Sequence, residues 1–80
     1  MNGGRLSDDE AMVQGMAQLR AQMASLGNGA EPPAQALRMI AMRYPEEAER
    51  IEAAWRQGQA TTVTAVLGEV EKQFAEDSAE

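Results

Sequence analysis

The stretch ALRMIAMRYPEEAERIEAAW, residues 36–55, decides the fold because it predicts two helices with a proline between them. The ring of Pro45 disfavours the helical conformation for Tyr44, so a continuous helix must break or bend at this point. We therefore predict one helix over 33–44 and a second helix over 46–57.

The helix predicted over 33–44 has more apolar side chains than one neighbouring layer can cover. Its main apolar stripe consists of Leu37, Ile40, Ala41 and Tyr44. The helices that follow could cover this stripe with Ile51, Trp55, Val63, Leu67 and Val70. Met39 or Met42 should still point away from that core, because side chains in a helix project in all directions around its axis.

A further helix is predicted over 8–26, where Ser7 and Glu10 form a capping box at its start. The apolar residues of this helix alternate four and three positions apart, which is the spacing of a coiled-coil seam. They are Met12, Met16, Leu19, Met23 and Leu26. Residues 27–33, GNGAEPP, are predicted to be a linker that is flexible at its glycines and stiff at its prolines.

The fourth predicted helix, 62–75, lies in a stretch whose threonine and valine residues also favour strands. Helical spacing favours a helix, and a lone strand would have no partner elsewhere in the chain. Its apolar face consists of Val63, Val66, Leu67, Val70 and Phe74. Thr61 or Thr62 is expected to cap this helix, and residues 1–6 and 76–80 are expected to be flexible. The chain is thus predicted to be a single all-α domain, a small bundle of four helices.

The amino-acid composition argues against catalysis. The 80 residues contain no cysteine and no histidine. This excludes disulfides and thiolate metal sites, and it removes the commonest metal ligand and general base. Adjacent acids such as Glu46 and Glu47 point roughly 100° apart on a helix, so they suit a helix start better than a catalytic pair. We expect no catalytic, cofactor-binding or metal-binding residues, and an enzyme is the least favoured function.

The hydrophobic pattern argues against a membrane protein. No apolar run approaches the ~18 residues of a membrane span, and the N-terminus lacks the apolar segment of a signal peptide. The expected location is therefore the cytoplasm. A chain of this length buries only roughly 60–65 % of the surface that it exposes when unfolded, so association with another chain would help to stabilise it.

Two interpretations of the first helix remain open. It can fold back to complete a closed four-helix monomer, or it can be an arm for dimerisation or for binding a different protein. Methionine side chains are flexible and suit surfaces that adapt to partners. The predicted partner or oligomer interface consists of Met12, Met16, Leu19, Met23, Leu26, Met39 and Met42.

The arginines between residues 38 and 56 form a second group of candidates. Two of them are predicted to form ion pairs with glutamates four residues earlier on the same helix. These pairs are Glu46 with Arg50 and Glu52 with Arg56. Arg38 and Arg43 have no such neighbour, so they are candidates for contacts with an acidic partner or with the acidic residues 76–80.

The formal net charge of −6 makes direct binding to the phosphates of nucleic acids unfavourable. We therefore expect a small acidic interaction protein, a regulator, inhibitor or assembly adaptor, that places an apolar helix face against a protein partner or against its own copy in a homodimer. The alternative is an inhibitor that mimics nucleic acid with an acidic C-terminal surface. The acids that would form this surface are Glu69, Glu71 and Glu76.

Overall fold

The computed structural model describes residues 8–28 and 31–78, and this part of the chain forms four α-helices and one 3₁₀ helix, without strands. The α-helices are α1 (Asp8–Gln22), α2 (Ala34–Ala41), α3 (Pro45–Arg56) and α4 (Ala60–Ser78). The 3₁₀ helix, Met23–Asn28, continues α1 directly. The predicted all-α bundle of four helices is therefore confirmed.

Three of the helices differ in length from their predicted bounds. The helix α2 ends at Ala41 and not at the predicted residue 44. The α-helical geometry of α1 ends at Gln22, and the chain tightens into the 3₁₀ helix instead of continuing as α-helix to residue 26. Such tightening is common at helix ends because i→i+3 bonds satisfy the last carbonyl groups. The third helix, α4, begins at Ala60 and continues to Ser78, so residues 76–78 are helical rather than frayed.

The start of α4 also differs from its prediction. The N–H of Val63 donates to the carbonyl of Gln59 at 3.0 Å, so hydrogen bonding begins at Gln59. Thr61 and Thr62 lie inside the first turn of the helix, where neither residue is its cap.

Part of the sequence prediction falls outside the described residues. This applies to Ser7 of the capping box, to residues 1–6 and to residues 29, 30, 79 and 80. Of the predicted linker, residues 27 and 28 belong to the 3₁₀ helix, whereas residues 31–33 precede α2 without helical structure.

A single residue, Tyr44, connects the turn after α2 to α3. Its backbone leaves the helical region, with φ −131° and ψ 67°, as expected for a residue before proline. The N–H of Tyr44 still donates to the carbonyl of Ile40 at 2.8 Å, and its carbonyl accepts from Ala48 at 3.0 Å. Tyr44 therefore belongs to the hydrogen-bond ladders of both helices, and the predicted break at Pro45 is confirmed.

The connection between α3 and α4 is a Schellman motif. Gly58 has a positive φ of 72°, which an L side chain rarely adopts. Its N–H donates to the carbonyl of Trp55 at 3.0 Å, and the N–H of Gln59 donates to that of Ala54 at 2.9 Å. These two bonds satisfy carbonyl groups at the end of α3 and turn the chain back, so that α4 runs antiparallel to α3.

The first two helices are also antiparallel, and their axes come close together at Gly15. A Cβ atom on Gly15 would lie 3.0 Å from the carbonyl oxygen of Ala36 and 3.2 Å from the Cβ of Met39. Asp9, near the start of α1, forms an ion pair with Arg43, which follows α2. Each helix packs on the next along the chain, and the 3₁₀ helix contacts α4.

The core lies between the four helices and takes residues from all of them. Trp55 is almost fully buried, and the largest buried aliphatic side chains come from α1, α2, α3 and α4 in turn. They are Met12, Leu19, Ile40, Ile51, Leu67, Val63, Val66 and Val70. Each fully buried side chain of this size contributes roughly 1.5–3 kcal/mol, so the shared core is the main source of stability.

Candidate protein-interaction surface

The apolar seam of the first helix faces the core of its own chain. Four of its five predicted residues are buried, and Met23 is half-buried against the same cluster. The buried residues are Met12, Met16, Leu19 and Leu26. This packing fills the seam within the chain, and an interface formed by these residues with a partner or a second copy stays a prediction. The packing within one chain is that of the closed four-helix bundle.

The outer side of α2 keeps an exposed methionine. Met42 is 60 % exposed, while Met39 is half-buried where α1 crosses α2. Among the described residues, Val13 on α1 is the other large hydrophobic side chain that is exposed, at 53 %. The expectation that Met39 or Met42 points away from the core is therefore confirmed for Met42.

An open groove lies beside Met42, between α2 and α3, with a volume of about 390 Å³. Its wall on α2 includes Leu37, Arg38 and Ala41. The remaining lining residues are Glu31, Pro32, Ala34, Pro45, Ala48, Glu49, Glu52 and Arg56. The floor is made of small and apolar side chains, whereas charged side chains stand at the rim.

Arg38 lies at the junction of the groove and the exposed methionine. The residue after α2, Met42, keeps right-handed helical dihedral angles, so Met42 follows Arg38 by one turn on the same side of the helix. In the described part of the chain, no carboxylate lies within ion-pair distance of Arg38. We call Arg38, Ala41, Met42 and the groove the outer α2 surface.

Arg43 differs from Arg38, because Arg43 contacts acidic and aromatic residues of its own chain. Its guanidinium is 3.1 Å from the carboxylate of Asp9 and 3.9 Å from that of Asp77. It also lies over the ring of Phe74, at 5.6 Å from the centroid. The predicted contact between Arg43 and the acidic C-terminal residues is thus present in the structure.

The ion pairs of α3 agree only in part with the spacing argument. Glu52 and Arg56 form the predicted pair at 3.0 Å. Arg50 instead reaches Glu69 on α4, at 3.8 Å, and does not pair with Glu46. Charged residues at i and i+4 are neighbours on a helix, but a facing helix can offer a competing partner.

Two of the three acids proposed for nucleic-acid mimicry are engaged by arginines. Glu71 accepts two hydrogen bonds from Arg20 on α1, the one from Nε at 2.7 Å. These bonds and the charge of Glu71 raise the pKa of Arg20, which is cationic in any case. Glu69 faces Arg50, and Glu76 is exposed. The acidic surface of α4 is therefore interrupted by positive charge.

Tyr44 has a role that sequence reasoning did not assign. Its ring is buried, and its hydroxyl donates a hydrogen bond to the carboxylate of Asp77 at 2.8 Å. Burial raises the pKa of the Tyr44 hydroxyl, and the hydrogen bond to Asp77 adds to this effect. Gly15 was also missed, because only the position of α2 shows why a side chain there would clash. Tyr44 could have been noticed in the sequence, because it is an aromatic residue directly before a proline.

The remaining chemical features of the described residues are few. Within residues 8–28 and 31–78, no cluster of three or more metal-ligating side chains is placed to hold a metal ion. No helix in this part of the chain has the length and apolar character needed to cross a membrane. Comparisons with protein-family models, curated proteins and solved structures found no match to this chain.

Proposed function

We propose that this chain is a small non-enzymatic protein-interaction module, a regulator, inhibitor or assembly adaptor, that binds its partner through the outer α2 surface. The observation that carries this proposal is the exposure of Met42, which directly follows Ala41, a residue that lines the groove between α2 and α3. An exposed large apolar side chain next to a concave surface favours protein binding, because its burial stabilises a complex. Such a module would act in the cytoplasm.

The chemistry of the surface narrows the kind of partner. Small residues in the groove leave room for the side chains of another helix or an extended segment, which could contact Met42 with an apolar stripe. Arg38 offers a cation at the edge of this contact. We therefore expect a partner that carries an acidic side chain next to its apolar stripe. A second copy is one candidate, because this acidic chain could form a homodimer.

The test compares Met42 with Val13, the two large hydrophobic side chains that are exposed among the described residues. A photo-crosslinking amino acid at position 42 should trap a partner protein in cells, whereas the same group at position 13 should not. Met42→Glu and Arg38→Glu should each abolish the cross-linked complex formed from a third position in the groove, and Val13→Glu should leave it intact. Equal trapping from both positions, or a complex that survives Met42→Glu, would overturn the proposal.

Sedimentation of the purified chain separates self-association from binding to a different protein. A dimer that becomes a monomer on Met42→Glu would identify the partner as a second copy. A monomer at all concentrations, together with the cross-link from position 42, would identify a different protein. All of these substitutions lie at exposed positions, so the far-UV circular dichroism should be unchanged.

The alternative of nucleic-acid mimicry has weaker support. It requires a surface of one sign, whereas Glu69 and Glu71 face arginines of the same chain. A mimic complex would weaken strongly with salt and on neutralising Glu76, because its binding would be electrostatic. Catalysis has the least support, because the sequence lacks histidine and cysteine.

A further inference from the structure

The last turns of α4 lie beside the connection between α2 and α3, where Arg43 and Tyr44 contact Phe74 and Asp77. The guanidinium of Arg43 lies over the ring of Phe74 and 3.9 Å from the carboxylate of Asp77. The hydroxyl of Tyr44 donates to the same carboxylate. On its other side, Arg43 is held by Asp9, at 3.1 Å. One aromatic ring and one carboxylate of α4 are thus recognised by a cation and a phenol.

The helix propensity of the last turns of α4 does not explain why they remain helical. Glu76 and Asp77 are acidic residues at the C-terminal end of α4, where the helix dipole is negative, and no basic residue lies in the last turn. Acids at this end destabilise a helix, because their charge repels the negative end of the helix dipole. The last turns are therefore held by tertiary contacts, namely the packing of Phe74 on the core and the contacts of Phe74 and Asp77 with Arg43 and Tyr44. A competitor must replace these contacts to displace them.

The spacing of the recognised groups defines what the site accepts. Phe74 and Asp77 are three residues apart, so both lie on one face of the helix. Phe74 is half-buried and Asp77 is largely exposed, which means that a similar segment could replace them without opening the whole core. Asp9 fixes the guanidinium and leaves its other amino group for the incoming carboxylate.

We propose that Arg43 and Tyr44 form a second docking site, for a partner helix with an aromatic residue three positions before a carboxylate, and that residues 74–77 of the chain itself occupy this site as an autoinhibitory segment. A segment attached to the same chain acts at an effective concentration in the millimolar range. A partner must therefore bind with its own additional contacts to displace the segment. This site is separate from the outer α2 surface and does not depend on it.

The test uses an acetylated and amidated peptide of residues 71–78, EKQFAEDS, titrated into the isotope-labelled full chain and followed by NMR. The Asp77→Asn chain should bind the peptide with a dissociation constant at least tenfold lower than the wild-type chain, because its own segment no longer blocks the site. Phe74→Ala should have a larger effect. Glu76→Gln is the matched control, since it removes the same charge from the adjacent position and should bind like the wild type.

The specificity of the site is tested in the Asp77→Asn chain. Adding Arg43→Gln should weaken peptide binding at least tenfold, and a peptide that carries Phe74→Ala should bind at least tenfold more weakly. Circular dichroism and the fluorescence of Trp55 check that each chain is folded. If Asp77→Asn binds the peptide no better than Glu76→Gln, the autoinhibitory contact is excluded. Wild-type dimers that Asp77→Asn dissociates would show occupation by a second copy and would also overturn the proposal.

Discussion

The α3–α4 hairpin and the α1–α2 pair are both antiparallel helix pairs, but different kinds of information specify them. The hairpin closes through a three-residue connection with a glycine of positive φ, so its geometry follows from neighbouring residues. The α1–α2 pair depends on the fit between Gly15 and the backbone near Ala36, residues that are far apart in the sequence. The comparison shows that local signals define one half of this protein and a long-range fit defines the other.

The largest expected effect tests whether the α1–α2 half is essential to the core. Leu19 is fully buried, so Leu19→Ala should lower the free energy of unfolding by about 2–5 kcal/mol. Urea denaturation followed by circular dichroism measures this change. Val13→Ala, on the exposed side of the same helix, should change the stability by less than about 0.5 kcal/mol. Similar losses from both variants would show that α1 is not docked as described.

A pair of glycine substitutions tests the close approach of α1 to α2. Gly68→Ala should stabilise the protein by about 1 kcal/mol, because alanine favours helix and nothing lies within 4 Å of the added Cβ. Gly15→Ala gains the same helix preference but forces its Cβ to 3.0 Å from a backbone oxygen. We expect the two variants to differ in stability by about 1–3 kcal/mol. Thermal unfolding of both proteins measures the difference, and equal stabilities would contradict the fit.

A third substitution tests the local information in the hairpin. Gly58→Ala places an L side chain at a φ of 72° and should lower the stability by about 1–2 kcal/mol. Gly58→Asn should have a smaller effect, because asparagine tolerates the left-handed conformation better than other residues with a side chain. Chemical denaturation ranks the three proteins. If Asn is as damaging as Ala, the positive φ is not the reason that glycine is needed.

The smallest expected effect concerns Tyr44 and has a defined pH dependence. Its pKa is raised above the ordinary value of 10.0 in the folded state, so the folded protein holds the hydroxyl proton more tightly than the unfolded chain. The stability that this group contributes is therefore complete below pH 10.0 and is lost as the pH rises through the higher folded-state pKa. Tyr44→Phe should lower the stability by about 1 kcal/mol at neutral pH, through the lost hydrogen bond, and by less at alkaline pH.

Unfolding by urea at pH 7 and at a pH above the folded-state pKa of Tyr44 measures this difference. The gap between the wild type and Tyr44→Phe should narrow at the higher pH, since ionisation then opposes folding only in the wild type. If the difference in stability between the two proteins were larger at the higher pH, the pKa of Tyr44 would be lowered by folding and not raised.

The sequence was sufficient to identify the four helices and the side of each that becomes buried, because periodicity within a helix is a local property. The break at Pro45 was equally local and was predicted, and the end of α3 at Arg56 lies within one residue of the predicted end at 57. The packing partner of the first helix was not predicted. Its seam spacing is compatible with its own chain or with another, and the packing of the seam within the chain becomes visible only from the burial of its residues and the contact at Gly15.

The same distinction applies to the candidate surfaces. Met39 or Met42 was expected to face away from the core, and Met42 is the one that is exposed in the structure. The groove next to it was not predicted, since it arises from the arrangement of α2 and α3 in space. The pairing of Arg50 with Glu69 instead of Glu46 has the same cause, because a facing helix changes which charges are neighbours.

The single-residue connection at Tyr44 has a consequence for the affinity of the proposed complex. Because the hydrogen bonds of Tyr44 belong to both helices, they restrict the movement of α2 relative to α3. In the complex proposed above, the walls of the groove would therefore need little rearrangement. Association then loses little conformational entropy on this side of the complex, so even a modest contact area can give a useful affinity.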